Sequence, residues 1–453
     1  MPSFSCSSSL CGGRAEYVRS ARPGDPPDPL RLRSHTLTER RESNVKKNSI
    51  GSCLRACACS GPGRHAARRI VVLRSRRAYE EAVRELARAG IKPLRAWTSS
   101  RILCLRLDRR VSWRELRRHP ELRSLEKDAV VRALGSGGCA RCGSGRRLGR
   151  PLRRGKSCRG KGHPCGKLPW NIRRVEAPAV WRRTLGSGVR LAVIDTGVGP
   201  HPDLCVAGGV NVSGGKSKSY RDDNGHGTHV AGIAAGRGSG GGPLGVAPGA
   251  SLYAVKALDA DGFGSLSSIL DAIEWCIRQR MDVVNMSLGL PPGSRSAALR
   301  RVVRRARKSG LVLVAAAGNA GVRSGGIDVP ASYPETIAVA ASDRRNRIAP
   351  FSSRGKGIDL TAPGDEICSC WLNGGYEIDS GTSMSAPHVA GGAALLLAAN
   401  PGLPSAAVAP VLKRWAKPLA GASRRAQGAG LLQLGRIGSV FYPGTHPFLR
   451  RRR

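Results

Sequence analysis

Ser383 lies among small residues in GTSMSAPHVAGGAALLL, residues 381–397, directly ahead of an apolar run. A serine hydroxyl is a weak nucleophile at neutral pH and attacks a carbonyl carbon only when a neighbouring base takes its proton. An imidazole suits that task because its pKa lies near about 6.5. A carboxylate is then needed to fix its tautomer and stabilise the imidazolium. His226, in RDDNGHGTHVAGIAAG (221–236), and Asp195, in GVRLAVIDTGV (188–198), supply those groups. The charge that develops on the attacked oxygen needs fixed donors. Asn319, in LVLVAAAGNAG (311–321), offers a carboxamide, and Ser383 its own backbone N–H. Taken singly, each residue also has an ordinary role: Ser383 a helix cap, Asp195 a turn cap, His226 a helix-start hydrogen bonder, Asn319 a turn residue.

The elements that must position these groups are legible around them. Residues 188–198 read as a buried strand ending at Asp195, and 311–321 as another ending at Asn319. The carboxyl edge of a parallel sheet is where such folds carry their sites. His226 opens a tight helix of small residues, and Ser383 opens a helix that Ala, Gly and Leu would let the fold cover on nearly all sides. Gly381 lets backbone approach the serine, and Pro387 is expected in the first turn, where its missing N–H costs nothing. Strands at 251–258 and 281–289 alternate with helices at 265–280 and 296–310, and ETIAVAAS and GIDLTAPG add two more strands. The alternation predicts an α/β fold with a mostly parallel, helix-covered sheet.

Residues 69–134 form a smaller unit in which strand, helix, strand, strand, helix and strand follow one another, the split βαβ pattern of a ferredoxin-like α+β domain. Residues 1–68 are rich in Arg, Ser, Pro and Gly and are expected to be disordered. Residues 135–167 read as a Gly/Arg/Cys-rich linker with ten Lys or Arg and no acid, 168–440 as the large domain, and 441–453 as a basic tail. The net charge of the 453 residues is +44, yet between 168 and 412 there are 25 basic against 18 acidic residues, so the excess sits in the flanks. Weak binding of an anionic polymer through those flanks is one expectation, and solvated arginine-rich segments with no partner another. No apolar run approaches the ~18–20 residues of a membrane span. The first residues lack a basic start followed by an apolar core, so no secretory signal is legible. Among fourteen cysteines, Cys139 and Cys142 with Cys158, His163 and Cys165 have partial zinc-knuckle spacing, but no apolar residues surround them to build a core, and free or mutually paired thiols are the alternative.

Together DTGV, DDNGHGTHVAG, LYAVKALDADGFGS, DVVNMSLG, VAAAGN and GTSMSAPHVAG resemble the subtilisin family of serine proteases, in order, over essentially all of 168–437. The resemblance implies a serine endopeptidase in which Asp195 orients, His226 is the base and then the acid, Ser383 is the nucleophile and Asn319 the oxyanion donor. It further implies that Ser287, Leu288 and Gly289 pair with extended substrate backbone. Residues 315–318, with Ala317 and Gly318, would then line the far wall of the primary specificity pocket. The unit at 69–134 resembles that family's propeptide, an intramolecular chaperone and inhibitor, with self-cleavage expected near Leu134-Gly135. The family resemblance therefore implies a zymogen, polypeptide substrates, its own propeptide as inhibitor and a monomer. The large propeptide-like unit favours secretion, with a cytoplasmic enzyme as the alternative.

The chain also departs from the family. No cofactor is required for the chemistry, and a structural calcium is doubtful: Asp203 matches one ligand of the family's site, but Gly166 stands at the position of a ligating Gln and the loop GRGSGGGP (236–243) has no carboxamide. A Cys165–Cys205 disulfide is expected to tether that region instead, Cys205 lying two residues beyond Asp203 and on the same face of a regular strand. Asp328, in GIDVPASYP, aligns close to the pocket floor. Pointing inward it would favour Lys or Arg before the scissile bond; otherwise it is an exposed loop residue. A catalytically idle binding module of the same fold is the competing function.

Overall fold

The computed structural model describes residues 49–135, 165–214 and 217–439. The N-terminal unit opens with α1 (Ile50–Cys57), capped by the Ser49 side chain. It continues through β1 (Ala66–Leu73), α2 (Arg76–Arg88), β2 (Arg95–Trp97), β3 (Ile102–Asp108), α3 (Arg114–Arg118) and β4 (Leu122–Lys127). The four strands form an antiparallel sheet in the order β2-β3-β1-β4. Ser75 accepts from the Ala78 N–H and starts α2, whose Ala78, Tyr79, Ala82 and Leu86 turn inward at helical spacing. Helix α1 and the start of β1 fall within 49–68, which corrects the expectation of disorder for that part of 1–68. Ile50, Leu54 and Cys57, at intervals of four and three, bury one face of α1 in the same core as Leu86. Residues 1–48, most of the 135–167 linker and the 441–453 tail lie outside the described residues.

The chain then leaves the small sheet as β5 (Val130–Ala133) and resumes at residue 165 with two short helices, α4 (Trp170–Arg174) and α5 (Ala177–Trp181). The large unit runs β6 (Arg190–Asp195), β7 (Val206–Asn211), α6 (His226–Ala235), β8 (Ser251–Lys256), β9 (Phe263–Ser265) and α7 (Leu266–Arg278). It goes on through β10 (Val283–Met286), β11 (Leu288–Gly289), α8 (Ala297–Lys308), β12 (Val312–Ala316), β13 (Ile337–Ser342) and β14 (Leu360–Pro363). After a hairpin of β15 (Ile367–Cys370) and β16 (Tyr376–Asp379) come α9 (Thr382–Ala399) and α10 (Ser405–Trp415). Seven strands pair in parallel in the order β14-β13-β12-β10-β6-β8-β7.

Side chains alternate between the faces of each strand. Leu191 and Val193 of β6 join Val230 of α6 and Val389 of α9 in one core, while Ala192 and Ile194 meet Ile273 of α7 and Val302 of α8 in the other. With both faces covered, the strands read as continuous apolar runs, as expected of a parallel sheet. Helix α9 is buried on every side from Thr382 to Leu396. Pro387 lies within this helix, beyond its first turn, so the expected placement is corrected. Its missing N–H would have met the Ser383 carbonyl, and the Ser287 hydroxyl donates to that oxygen instead at 2.9 Å.

Two carboxylates of the N-terminal unit cap helices of the large one. Glu126 accepts from the N–H groups of Ala297 (2.9 Å) and Ala298 (3.2 Å) and from the Ser296 hydroxyl (2.7 Å) at the start of α8. Asp128 accepts from the Ser267 N–H and hydroxyl, both at 2.8 Å, at the start of α7. Negative charge at a helix N-terminus is favourable because it meets unpaired N–H groups and the positive end of the dipole.

Cys165 is disulfide-bonded to Cys368 of β15, with Cα atoms 5.6 Å apart, and not to Cys205, which is free and exposed. The expectation of Cys165–Cys205 assumed a strand through both Asp203 and Cys205. The strand starts only at Val206, so Asp203 precedes it in a turn. A sulfur in a disulfide is also no thiolate ligand, which removes Cys165 from the zinc reading; the remaining zinc candidates fall outside the described residues.

Candidate active site

Asp195 ends β6 at the carboxyl edge of the sheet and is fully buried. Its Oδ1 accepts from the Thr196 N–H and from Nδ1 of His226, each at 2.7 Å. The Thr196 hydroxyl in turn accepts from the Gly227 N–H at 2.9 Å, which ties the strand end to the first turn of α6. Asp222 receives the Gly225 and Thr228 N–H groups and sets the direction in which that helix begins. Burial pulls the His226 pKa down, but the charge and hydrogen bond of Asp195, aided by Asp379 and Asp222, outweigh it and hold the imidazole above its usual 6.5. His226 Nε2 makes no hydrogen bond. An imidazole held through one nitrogen by a buried carboxylate, with the other nitrogen open, is arranged to take and return a proton.

Ser383, in the first turn of α9, donates from Oγ to the Ser287 carbonyl at 3.0 Å, and no hydrogen bond joins it to His226. Both residues border the peptide that links Leu134 to Gly135. The Leu134 N–H donates to the same Ser287 carbonyl at 3.1 Å. A Cβ built on Gly135 would stand 3.0 Å from His226 Nε2. The Leu134 carbonyl accepts from Asn319 Nδ2 at 2.6 Å. The carboxamide cannot turn round, because its Oδ1 already accepts from the N–H and hydroxyl of Thr382 at 2.9 and 2.8 Å. Gly381 is needed at its position, since a Cβ there would lie 2.5 Å from the Leu134 oxygen.

Leading into that peptide, β5 is the middle strand of a three-stranded antiparallel sheet between β11 and β9. Ala133 pairs with Leu288 and Arg132 with Gly289, while Arg132, Val131 and Val130 face Phe263, Gly264 and Ser265. Ser287, Leu288 and Gly289 therefore meet the chain's own extended segment, Arg132 to Leu134. Gly318 borders the Asp328 carboxyl and the Ser353 hydroxyl, and the Ala317 carbonyl accepts from the Asp328 N–H at 2.9 Å. The sequence reading missed β9, which is three residues long and has no periodicity to show. It also missed Thr382, whose role depends on the fold of a distant loop.

Asp203 is a poor calcium ligand in this setting. One carboxylate oxygen accepts from the Gly240 N–H and the other from the Tyr376 hydroxyl, each at 2.5 Å. The 236–243 loop thus turns an N–H donor toward the carboxylate where a calcium site would bring oxygens. His201 and Cys370 stand nearby, but both nitrogens of His201 are engaged, by the Asp203 N–H and the Gly375 carbonyl. Among the described residues, His201 and Asp203 are thus already engaged by protein partners.

The fold places a serine, a histidine and an aspartate around one peptide at the carboxyl end of a parallel sheet, and comparison with known proteins gives the class. A model of the subtilase family matches residues 186–430. Subtilisin BL and subtilisin Savinase of Lederbergia lenta are each 46% identical over 266 residues, covering 58% of this chain and 96% of theirs. Subtilisin E of Bacillus subtilis (strain 168) is 49% identical over 239 residues, 52% of this chain and 62% of its own. The chain belongs to the subtilase family. It is a subtilisin-like serine endopeptidase and acts on polypeptides. No helix among the described residues is long and apolar enough to cross a membrane.

Proposed function

We propose that Asp195, His226 and Ser383 form the catalytic triad and that the chain is a zymogen that cuts itself between Leu134 and Gly135. The carrying observation is the Leu134–Gly135 peptide itself, held as the end of an antiparallel strand with its carbonyl on Asn319. Reaction begins when Ser383 Oγ turns from the Ser287 carbonyl to His226 Nε2. The imidazole takes the proton as Oγ bonds to the Leu134 carbonyl carbon, and Asp195 balances the imidazolium. The oxyanion is met by Asn319 Nδ2 and the Ser383 N–H, in the first turn of α9, where the helix dipole favours negative charge. Collapse breaks the bond to the Gly135 nitrogen, which receives the proton from His226, and water then releases the acyl group by the reverse sequence.

After cleavage the N-terminal unit remains as an inhibitor, held by β5 and by the caps that Glu126 and Asp128 place on α8 and α7. An inhibitory unit and a disulfide both suit an enzyme exported into an oxidising compartment. N-terminal sequencing and intact mass test the reading. Wild type should yield a new N-terminus at Gly135 or further into the segment behind it, and Ser383→Ala should stay whole. Equal cleavage of both, or of neither, would count against it. Labelling of Ser383 by a fluorophosphonate separates an active enzyme from an idle module, since only an activated serine reacts.

A further inference from the structure

Asp328 is 2% exposed, so the exposed-loop alternative does not hold. Its carboxyl lies between Gly289, which also borders the Leu134 side chain, and Gly318. A Cβ on Gly289 would stand 3.1 Å from Asp328 Oδ2 and 3.3 Å from Leu134 Cδ1. On the other side, a Cβ on Gly318 would stand 2.7 Å from Asp328 Oδ1. The segment bearing it is held by the Asp328 N–H on the Ala317 carbonyl and, one residue on, by a pair of hydrogen bonds between Val329 and Leu290. The main chain at Asp328 is thus fixed, and its carboxyl is buried between Gly289 and Gly318.

Asp328 Oδ2 is buried and has no hydrogen-bond partner. An orphaned buried acceptor is costly, and Leu134, the residue now seated above it, brings no donor. Burial pushes the carboxyl up to about 7, and Arg132 on β5 is the charge that pulls it back. The neighbouring Gly289, Ala317, Gly318 and Ser353 bring no charge. Gly289, beside both the Leu134 side chain and the carboxyl, and Gly318, beside the carboxyl, carry no side chains of their own, which leaves room for a long aliphatic stem to reach it.

We propose that Asp328 makes this pocket selective for a lysine or arginine side chain before the scissile bond, a reading that rests on the endopeptidase function above. The ammonium or guanidinium supplies the missing donor and the opposite charge in one group. The chain's own Leu134 fills the pocket without meeting its floor, so the tethered sequence is the weaker match and competes through being held in place.

The test uses the self-processed full-length product and pairs of peptides that differ only in Lys, Arg, Leu or Phe before the cleaved bond. Wild type should favour the basic peptides in kcat/KM by about tenfold or more at alkaline pH, a ratio that Asp328→Asn should lower by at least about tenfold. Asp343→Asn, on a surface turn, should keep the ratio. If Asp328→Asn fails to mature, wild type alone decides. Its Lys-to-Leu ratio should climb between about pH 5.5 and 9 as the carboxyl ionises, with the His226 dependence cancelling in the ratio. A flat ratio, an apolar preference throughout, or an unaltered ratio in Asp328→Asn would overturn the proposal. Those outcomes with Ser383 still labelled by fluorophosphonate defeat the pocket assignment alone, whereas loss of labelling in wild type defeats the endopeptidase function and this with it.

Discussion

Replacing Glu126 with alanine should loosen the hold of the N-terminal unit on the catalytic one without disturbing either fold. Helix α8 keeps its own cap, because the Ser296 hydroxyl still accepts from the Leu299 N–H at 3.0 Å. What Glu126 adds is an ionised acceptor for the next two N–H groups, those of Ala297 and Ala298, and for the Ser296 hydroxyl. Losing a capping side chain costs about 0.5–2 kcal/mol and losing a negative charge at a helix N-terminus about 0.3–1 kcal/mol. Water reaches the vacated N–H groups once the side chain is gone, so the two together come to about 1–3 kcal/mol. That is roughly a 5- to 150-fold weaker complex. In the assay the self-processed, unseparated product is diluted in steps and peptide hydrolysis is followed until activity per molecule stops rising. The midpoint for Glu126→Ala should move to a concentration higher by that factor. Glu80→Ala, which removes an exposed partner of Arg76 far from the contact, should leave it in place. A Glu126→Ala midpoint equal to wild type would refute the assignment of the α8 cap as a holding contact.

Four further outcomes are expected. Asn319→Ala should lower kcat by roughly 10²–10³ with little change in KM, the size known for removal of the corresponding donor in subtilisin itself. The rate of self-cleavage should fall with acidification with a midpoint above 6.5, because Asp195 holds the His226 pKa up and only the neutral imidazole can take the serine proton. Asp195→Asn should move that midpoint downward, since burial then acts without its counter-charge; a pH–rate profile on both variants reads this directly. Cys368→Ser should cost about 2–4 kcal/mol in denaturant unfolding, as expected for opening a long disulfide loop, while Cys205→Ser should change nothing measurable.

The central strands were legible because a parallel sheet covered on both faces leaves unbroken apolar runs, and VVNM or VLVAA admit few other readings. The residues at the ends of those runs were legible for the same reason. Strand β7 was not: VAGGVN lies at the sheet edge, half-buried, with two glycines and no alternation. Helix α1 has no clear signature because two of its five buried residues are cysteines and one is glycine, within an Arg- and Ser-rich stretch. The partner of Cys165 was misjudged because Cys368 stands 203 residues away, on a hairpin whose strands are four residues each. Burial of Asp328 depends on how its segment folds back against Ala317 and Leu290, a long-range pairing with no local signature.

Ser287 touches both halves of the reaction. Its carbonyl accepts from the Leu134 N–H and the Ser383 hydroxyl, and its own hydroxyl fills the rung that Pro387 leaves open in the helix carrying Ser383. Docking of the incoming chain and the seating of the attacking oxygen are therefore registered to a single residue, so a shift in one is felt by the other. With β5 seated, the carbonyl holds both donors at once, the Leu134 N–H at 3.1 Å and the Ser383 hydroxyl at 3.0 Å, so a strand that slips along β11 gives up one bond at that oxygen while the hydroxyl keeps the other.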